Sequence, residues 1–285
     1  MRFVVALMLL FVAVPAEAGR GAALVKYLPD DATAVAAADI ARVRGTAVWK
    51  VVYKLAREQN AAFDALATAQ PVDKLVDTAV LGASADKQHA VIVLEGRIDK
   101  LLAEVKKTAT KSDTHEGITF WSNNDGDVAI VDKKLVFSSP GEMASVIDRA
   151  KDKKAKGPAT LRTLLAATNA GSGVVGGMLL DANQRADLGK QLGAEPQWAT
   201  VSLAMSGKLG LDLRVHFASE AAAATAVKAI TEQLTPETRG RVEGFVGKEF
   251  SDSIAVQQQL LFAKMTATLT VEEMSKVISL LKMLM

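Results

Sequence analysis

The stretch from Trp198 to Phe217, WATVSLAMSGKLGLDLRVHF, decides the fold class. After its central Ser-Gly-Lys, apolar residues occupy every second position, at Leu209, Leu211, Leu213 and Val215. A period of two is typical of a strand with one buried face, and Gly207-Lys208 between two such runs indicates a tight hairpin. Strands joined this closely must run antiparallel. The sequence therefore predicts an antiparallel sheet built from hairpins.

The earlier part of the chain contains two further sets of strands with the same kind of connection. Asp125-Gly126 lies between two of these strands, and both residue types tolerate the positive φ of a hairpin turn. The predicted strands are residues 78–83 with 89–95, and residues 117–122 with 127–131 and 135–138. Isolated strands are predicted at 33–39 and 174–181, and a last pair at 254–258 and 261–269.

Apolar residues spaced three and four positions apart predict helices between these strands. The predicted helices are residues 40–69 with a break near Gly45, 98–108, 161–168, 183–192, 219–234, 236–250 and 271–284. Ser139-Pro140-Gly141-Glu142 predicts one more helix start, with an N-cap, a proline at the first position and a capping-box glutamate. Thr270-Val271-Glu272-Glu273 predicts a second capping box before the last helix.

The order of elements repeats along the chain. Residues 19–150 form a first half and residues 159–285 a second, each reading strand, helix, hairpin, helix, hairpin, helix, with a charged linker at 151–158 between them. We predict an α+β fold of two similar halves, each an antiparallel sheet with helices covering one face. An internal duplication would explain the repeated order of elements.

Residues 1–18 have the pattern of a cleavable signal peptide. A basic start is followed by an apolar run of twelve residues, Phe3 to Val14, and by Ala16-Glu17-Ala18, which is a small-residue cleavage pattern. A membrane anchor would need roughly 20 apolar residues. The chain has no cysteine, which excludes a lipid-modified cysteine and disulfides. We therefore expect a soluble protein of the periplasm or the exterior, with no membrane span in the mature chain.

Charge and composition narrow the classes of partner. The chain has 34 Lys and Arg against 32 Asp and Glu, interleaved along its length, which argues against nucleic-acid binding. Aromatic residues make up only 5% of the chain, so there is little material for stacking platforms. A core of small and branched aliphatic residues is expected.

Two short motifs match known spellings in the wrong context. Gly171 to Gly176 reads G-x-G-x-x-G, but a dinucleotide site needs a strand before the motif and a helix after it, and here the predicted order is reversed. Ser84-Ala85-Asp86-Lys87 reads S-x-x-K, but it lies in a predicted hairpin loop and its partner motifs are absent from the sequence. We interpret the first as a helix stop followed by a strand, and the second as chance.

The remaining candidate residues are a few isolated histidines and acids. His89, His115 and His216 lie far apart in sequence, so a metal site would need them to converge in space. His115 lies with Asp113 and Glu116 at what we interpret as a solvated strand end. Asn123, Asp125 and Asp127 offer oxygens, but a tight hairpin cannot wrap a calcium ion. No residue is assigned as catalytic, cofactor-binding or metal-binding, and no cofactor is expected.

Three stretches are similar to a known kind of protein: Leu28-Pro29-Asp30-Asp31, the segment DIARVRGTAVW at 39–49, and VAIVDKKLVFSSPGEMASVIDR at 128–149. They resemble uncharacterised exported bacterial proteins, a domain of unknown function, with an L-P-x-D start and a strand, tight turn, strand, capped-helix unit. The resemblance implies a duplicated α+β architecture and supplies no catalytic residues.

These observations favour a non-enzymatic exported protein that binds an unknown protein partner or an apolar small-molecule ligand, through a sheet face or a groove between the halves. A dry cavity would favour the small-molecule carrier, and a flat apolar patch would favour the protein-binding module. The alternative is a carboxylate-dependent hydrolase of the cell envelope, which would need two acidic groups facing each other in a cleft with raised pKa.

Overall fold

The computed structural model describes residues 21–86, 88–169 and 171–284. The predicted signal peptide lies outside the described residues. Those residues form one antiparallel sheet of twelve strands. The strands are β1 Ala32–Asp39, β2 Val76–Ser84, β3 Ala90–Gly96, β4 Lys111–His115, β5 Ile118–Asn123, β6 Gly126–Val131, β7 Lys134–Ser138, β8 Val174–Leu179, β9 Pro196–Met205, β10 Leu209–Phe217, β11 Ala255–Gln259 and β12 Phe262–Leu269.

Helices connect the strands, preceded by a short 3-10 helix at Val25–Tyr27. They are α1 Ile40–Val43, α2 Ala47–Gln59, α3 Ala61–Ala69, α4 Val72–Leu75, α5 Asp99–Lys106, α6 Met143–Lys151, α7 Ala159–Ala166, α8 Ala182–Leu192, α9 Glu220–Gln233, α10 Pro236–Phe245, α11 Lys248–Ser253 and α12 Val271–Leu284. The predicted linker at 151–158 begins at the last residue of α6 and leads to α7. The prediction of an α+β fold with antiparallel pairing is confirmed.

The two halves join edge to edge through the central pair of β1 and β8. Outward from this pair the strand order is β1, β2, β3, β7, β6 in the first half and β8, β9, β10, β12, β11 in the second. The first half adds β5 and β4 at its outer edge. A duplication would produce this shared order, and the duplication itself stays a prediction.

The strand register places two glycines on either side of Val35, with Gly82 on β2 and Gly177 on β8. A Cβ on Gly82 would lie 2.8 Å from Leu28 Cδ1, and a Cβ on Gly177 would lie 2.8 Å from Leu164 Cβ on α7. Cβ atoms at paired positions of neighbouring strands point to the same face. The segment at Leu28 and helix α7 therefore cover one face of the sheet at its centre, one in each half.

The opposite face of the first half is covered by other helices. Trp121, Val128 and Phe137 are paired across β5, β6 and β7, on the face opposite to Val35. Helices α3 and α5 lie over this face. Val80 and Leu81, consecutive on β2, are both buried, which requires cover on both faces. The cover of the central strands is thus wider than the single face predicted.

Most buried side chains belong to one hydrophobic core that runs from Leu24 to Met274 and includes both halves. A smaller cluster lies between α9 and the outer strands of the second half, formed by Phe217, Ala223, Ala226 and Ala263. Because the large core crosses the β1 and β8 pair, the halves share their stabilising contacts.

The helix start predicted at Ser139 is wrong. Glu142 N donates to Ser139 O at 3.1 Å and Gly141 has a φ of +81°, so Ser139-Pro140-Gly141-Glu142 is a tight turn. Proline followed by glycine suits such a turn because proline presets its φ and glycine accepts the positive φ. Helix α6 begins only at Met143, and Glu142 makes no side-chain cap. The Ser139 hydroxyl instead accepts from Ala90 N at 3.0 Å.

Other predicted bounds differ less. The break near Gly45 is confirmed, a second break follows α2 at Asn60, and Gly247, with a φ of +151°, separates α10 from α11. The edge strand β4 was not predicted.

The second capping box is confirmed, because Glu273 N donates to Thr270 Oγ1 at 3.1 Å and Thr270 N donates to Glu273 Oε2 at 2.9 Å.

Candidate functional site

A cavity of about 380 Å³ lies between helices α3 and α5 and the strands β5, β6 and β7. We name it the α3–α5 cavity. Its apolar lining comes from three separate segments of the chain: Ala65, Leu66 and Ala69 on α3, Val105 on α5, Ala109, and Trp121, Val128 and Phe137 on the sheet. Ala65 and Ala69 are exposed, so this apolar space is open to solvent.

Small residues on α3 make the space. Ala65 and Ala69 are four positions apart, so they lie one above the other on the same side of the helix. Larger side chains at these two positions would fill the gap between α3 and the sheet. The end of α3 is tied to α5 by Gln70, whose Nε2 donates to Glu104 Oε1 at 3.3 Å. The two helices are therefore held with a gap between them.

The wall opposite these helices is aromatic and aliphatic. Val128 and Phe137 are almost fully buried, and Trp121 is partly buried beside them. Lys106 Nζ lies 3.5 Å from the centroid of the Trp121 ring. A cation over an indole face is attracted by the ring quadrupole, which fixes the ring at the wall of the cavity.

The rim of the cavity is polar. Lys107 Nζ pairs with Glu104 Oε2 at 2.7 Å, and hydrogen bonds from Lys107 and then Gln70 hold the pKa of Glu104 below its usual value. Asn123 Oδ1 accepts from Asp125 N at 2.8 Å within the hairpin turn. The lining also includes the buried polar residues Ser122, Asp127 and Ser138. A mostly apolar lining with a few placed polar groups is the usual arrangement of a small-molecule pocket.

The oxygen-bearing residues Asn123, Asp125 and Asp127 all line this cavity. Asp127 Oδ2 accepts from Gly141 N at 2.8 Å, so its carboxylate anchors the Pro-Gly turn. Within the described ranges, no group of three or more His, Cys, Asp or Glu side chains could hold a metal ion.

The short motifs lie where the sequence predicted. The glycine-rich segment at 171–176 follows α7 and leads into β8, so a helix precedes it and a strand follows. Ser84 ends β2, and its hydroxyl donates to Asp86 Oδ1 at 2.5 Å. Lys87 lies outside the described residues.

The three histidines have three different environments. His89 Nδ1 lies 2.8 Å from Asp31 Oδ2, a contact that raises the pKa of His89. His115 Nε2 lies 2.7 Å from Asp148 Oδ1 on α6. His216 stacks on Trp198, with ring centroids 4.4 Å apart, and burial lowers the pKa of His216.

The neighbours of His115 are engaged elsewhere. Asp113 Oδ1 accepts from Thr114 N at 2.7 Å, and Glu116 Oε2 pairs with Lys151 Nζ at 3.1 Å. The structure therefore does not join Asp113 and Glu116 to the imidazole as a catalytic group.

The pKa shifts of the carboxyl groups test the hydrolase alternative. Asp86, Glu104, Asp132 and Glu273 each have a pKa below the usual value. A carboxylic acid that donates a proton near neutral pH needs a raised pKa instead. None of these four groups is suited to that role.

Among the residues that the structure describes, no helix combines the length and the apolar character needed to cross a bilayer. This holds for all of α1 to α12.

Sequence comparison finds no protein-family model that matches this chain and no curated protein that matches it. Its fold is similar to crystal forms I, III and IV of TP0453, with TM-scores of 0.53, 0.56 and 0.52. The sequences are 10%, 10% and 13% identical to it. Each match covers 90% of this chain and 96%, 97% and 96% of the respective TP0453 chain. At this identity the likeness shows the fold alone, and it extends over nearly the whole chain.

Proposed function

We propose that this protein is an exported, soluble, non-enzymatic binding protein that holds an apolar small molecule in the α3–α5 cavity. The single observation that carries the proposal is the apolar space of about 380 Å³ with a polar rim. The volume lies within the ~300–1,000 Å³ range of small-molecule pockets. This is the carrier version of the binding function expected from the sequence.

Burial of apolar surface is a sufficient driving force. A ligand that buries about 150 Å² of apolar surface gains about 4 kcal/mol at ~25 cal/mol per Å². A gain of about 4 kcal/mol corresponds to a Kd of about 1 mM. Losses of translational and side-chain freedom reduce this gain, so we expect affinity in the millimolar range for a ligand of this size. The Glu104 and Lys107 pair lies at the rim, so a polar end of the ligand would point outward.

A fluorescent apolar probe tests the cavity directly. N-phenyl-1-naphthylamine should bind with enhanced emission, and excitation of Trp121 should sensitise it because that ring lines the wall. Ala65→Phe, which fills the gap under α3, should weaken binding at least tenfold. Ala224→Phe is the matched control, since Ala224 is also an exposed alanine within a helix, here α9, away from the cavity.

Equal binding by the wild-type protein and the Ala65→Phe variant would reject the cavity as the site. Absence of any probe binding to the wild-type protein would reject the carrier function. Sensitised emission that Trp121→Phe does not reduce would place the probe elsewhere.

Export is tested separately. The protein recovered from the periplasm or medium of the source cells should have the mass of a chain that begins at Gly19. An intact Met1 on protein retained in the cytosol would overturn this part of the proposal. The hydrolase alternative gains no support from the four carboxyl groups with lowered pKa.

A further inference from the structure

A second recess, distinct from the α3–α5 cavity, lies on the other side of α3. It is an open groove of about 760 Å³ along α2, and we name it the α2 groove. Ala61 and Asp64 of α3 line the groove, whereas Ala65 and Ala69 of the same helix line the cavity. The helix therefore separates an apolar space from a charged one.

The α2 groove has an excess of positive charge. Its lining includes five basic residues, Arg44, Lys50, Lys54, Arg57 and Lys74, against three acidic ones. The whole chain is nearly balanced, with 34 basic and 32 acidic residues, so the excess is a local feature. A cleft with an excess of one sign of charge attracts ligands of the opposite sign.

The cations of the groove differ in how far they are neutralised. Arg57 Nε pairs with Asp64 Oδ1 at 2.6 Å, and Lys54 Nζ lies 3.8 Å from Glu58 Oε1. The ammonium groups of Lys50 and Lys74 make no hydrogen bond or ion pair with any part of the chain that the structure describes. Two lysines are thus available to an anion.

Trp49, one of the residues that line the groove, carries an unsatisfied donor. Trp49 is 3% exposed, and its Nε1 has no hydrogen-bond partner within the described residues. Buried polar groups are nearly always paired, so an orphan N–H calls for an acceptor. The Trp49 ring stacks on Tyr53 with centroids 5.9 Å apart, and Tyr53 packs edge-on against Phe63, which fixes the indole in place.

We propose that the α2 groove binds the phosphoryl group of a small phosphorylated molecule. The two free lysines neutralise the two charges of a phosphate monoester, and the Trp49 N–H donates to one of its oxygens. The N–H is covered in this structure, so binding requires a side-chain movement in the groove that exposes it. The space beyond a phosphate leaves room for an organic group against Tyr53. This site is independent of the proposed apolar carrier function.

The indole N–H signals give a direct readout, because the chain has only three tryptophans. The Trp49 signal is identified by its loss in Trp49→Phe. Inorganic phosphate and phenyl phosphate, added at constant ionic strength with NaCl as balance, should shift this signal saturably. The Trp121 and Trp198 signals should stay unchanged and so report an intact fold. Dimethyl phosphate, a diester with one charge like a lipid headgroup, should bind at least tenfold more weakly than phenyl phosphate.

Lysine variants test the charge contribution. Lys50→Gln with Lys74→Gln should weaken phenyl phosphate binding at least tenfold, and Lys54→Gln should weaken it about threefold. Lys228→Gln is the matched control for Lys54→Gln: each lysine is 78% exposed and each faces a glutamate four residues later. Binding should also be tighter at pH 7.5 than at pH 5.5, since the second ionisation of a phosphate monoester has a pKa of about 6.

Three results would overturn the proposal. A Trp49 signal that does not shift with phosphate, or that shifts equally with NaCl alone, would show that phosphate does not bind in the α2 groove. Unchanged affinity of the Lys50 and Lys74 double variant for phenyl phosphate would show that these two lysines do not bind the phosphoryl group. Dimethyl phosphate binding as tightly as phenyl phosphate removes the assignment to a monoester.

Discussion

The two halves of the sheet share a strand order but differ in how they are covered. In the first half, β2 and β3 are almost wholly buried, with segments packed on both faces. In the second half, β10 is mostly half-buried, and Arg214 and His216 lie on the face that α7 covers only at its inner edge. The difference teaches that strand order sets the pairing, whereas burial depends on the segments that each half adds.

The open face of the second half is stabilised by contacts among its own side chains. Arg214 binds Asp212 through Nε at 3.0 Å and Nη2 at 2.9 Å, and its Nη1 donates to Ala167 O at 3.0 Å. Phe262 packs edge-on against the stacked rings of Trp198 and His216. The bidentate ion pair and the three packed rings hold the side chains of this face in place without a covering helix.

The largest effect is expected where the halves meet. Leu161 on α7 is fully buried, and α7 packs on β1 and β8. Leu161→Ala should lower the free energy of unfolding by about 3 kcal/mol, the usual cost of a leucine cavity. Because both halves share one core, the free energy of unfolding should fall by the same amount in each half. Urea unfolding followed by 19F signals of 5-fluorotryptophan at Trp121 and Trp198 measures each half separately.

Coincident transitions at the two tryptophans are the expected result. Separate midpoints, or a Leu161→Ala loss confined to the Trp198 signal, would mean that the halves are independent units. The control is Leu260→Ala, which removes a leucine that is 70% exposed and should change little.

The two central glycines give a smaller, graded effect. Gly177→Ala should cost about 2 kcal/mol, because the new methyl group meets Leu164 Cβ, which the helix holds in place. Gly82→Ala should cost about 1 kcal/mol, because the closest atom there is the terminal Cδ1 of Leu28, which can rotate, and the fixed Leu28 Cβ lies 3.0 Å away, farther than Leu164 Cβ from Gly177. Thermal or urea unfolding measures both variants.

Gly210→Ala is the matched control in the same sheet. Its methyl group would meet Ala204 Cβ at 3.5 Å, an ordinary contact, so stability should hold or rise slightly. Equal losses at Gly82 and Gly177 would contradict the difference in rigidity between the two covers.

The smallest effect concerns the helices that close each half. Helix α6 has no side-chain cap, whereas α12 is capped by Glu273, which also accepts from Phe250 N at 3.0 Å. Glu273→Gln should lower stability by about 1 kcal/mol at pH 7, since charge-assisted hydrogen bonds are weakened. Glu272→Gln, one residue earlier and 79% exposed, should cost less than about 0.5 kcal/mol.

The pH dependence of this cap has a defined sign. Burial raises the pKa of Glu273, but hydrogen bonds from Thr270 and Phe250 outweigh it and hold the pKa below the usual 4.5. A lowered carboxyl pKa gives stability that is complete above the unfolded pKa and lost as pH falls through the folded one. The difference between wild type and Glu273→Gln should therefore be constant above about pH 5.5 and shrink below pH 4.5. A difference that grows on acidification would contradict the cap.

Local patterns in the sequence predicted most strands and helices, because the periods of two and near 3.6 residues come from burial of one face. Edge strand β4, KSDTH, contains no apolar residue and is mostly exposed, so it carries no such period. The Pro-Gly pair at 140–141 fits both a helix start and a turn. The choice between them depends on the Ser139 contact with Ala90, a residue far away in sequence.

The sites were not predictable from any one segment. The α3–α5 cavity takes its lining from α3, α5 and the β5 to β7 strands, and each contributes ordinary residues such as Ala65 and Val128. The pairing of β1 with β8 was equally hidden, since two short apolar strands can pair with many partners. Long-range contacts decide both features, and a single sequence shows only local ones.

The central position of β1 has a consequence for synthesis. A ribosome releases Ala32–Asp39 long before Val174–Leu179, so the nascent first half presents an alanine-rich edge with unpaired backbone groups. Such distant pairing slows folding and prolongs exposure of that edge. Because we propose that the chain is exported, we expect it to depend on a holding chaperone until β1 and β8 pair after export.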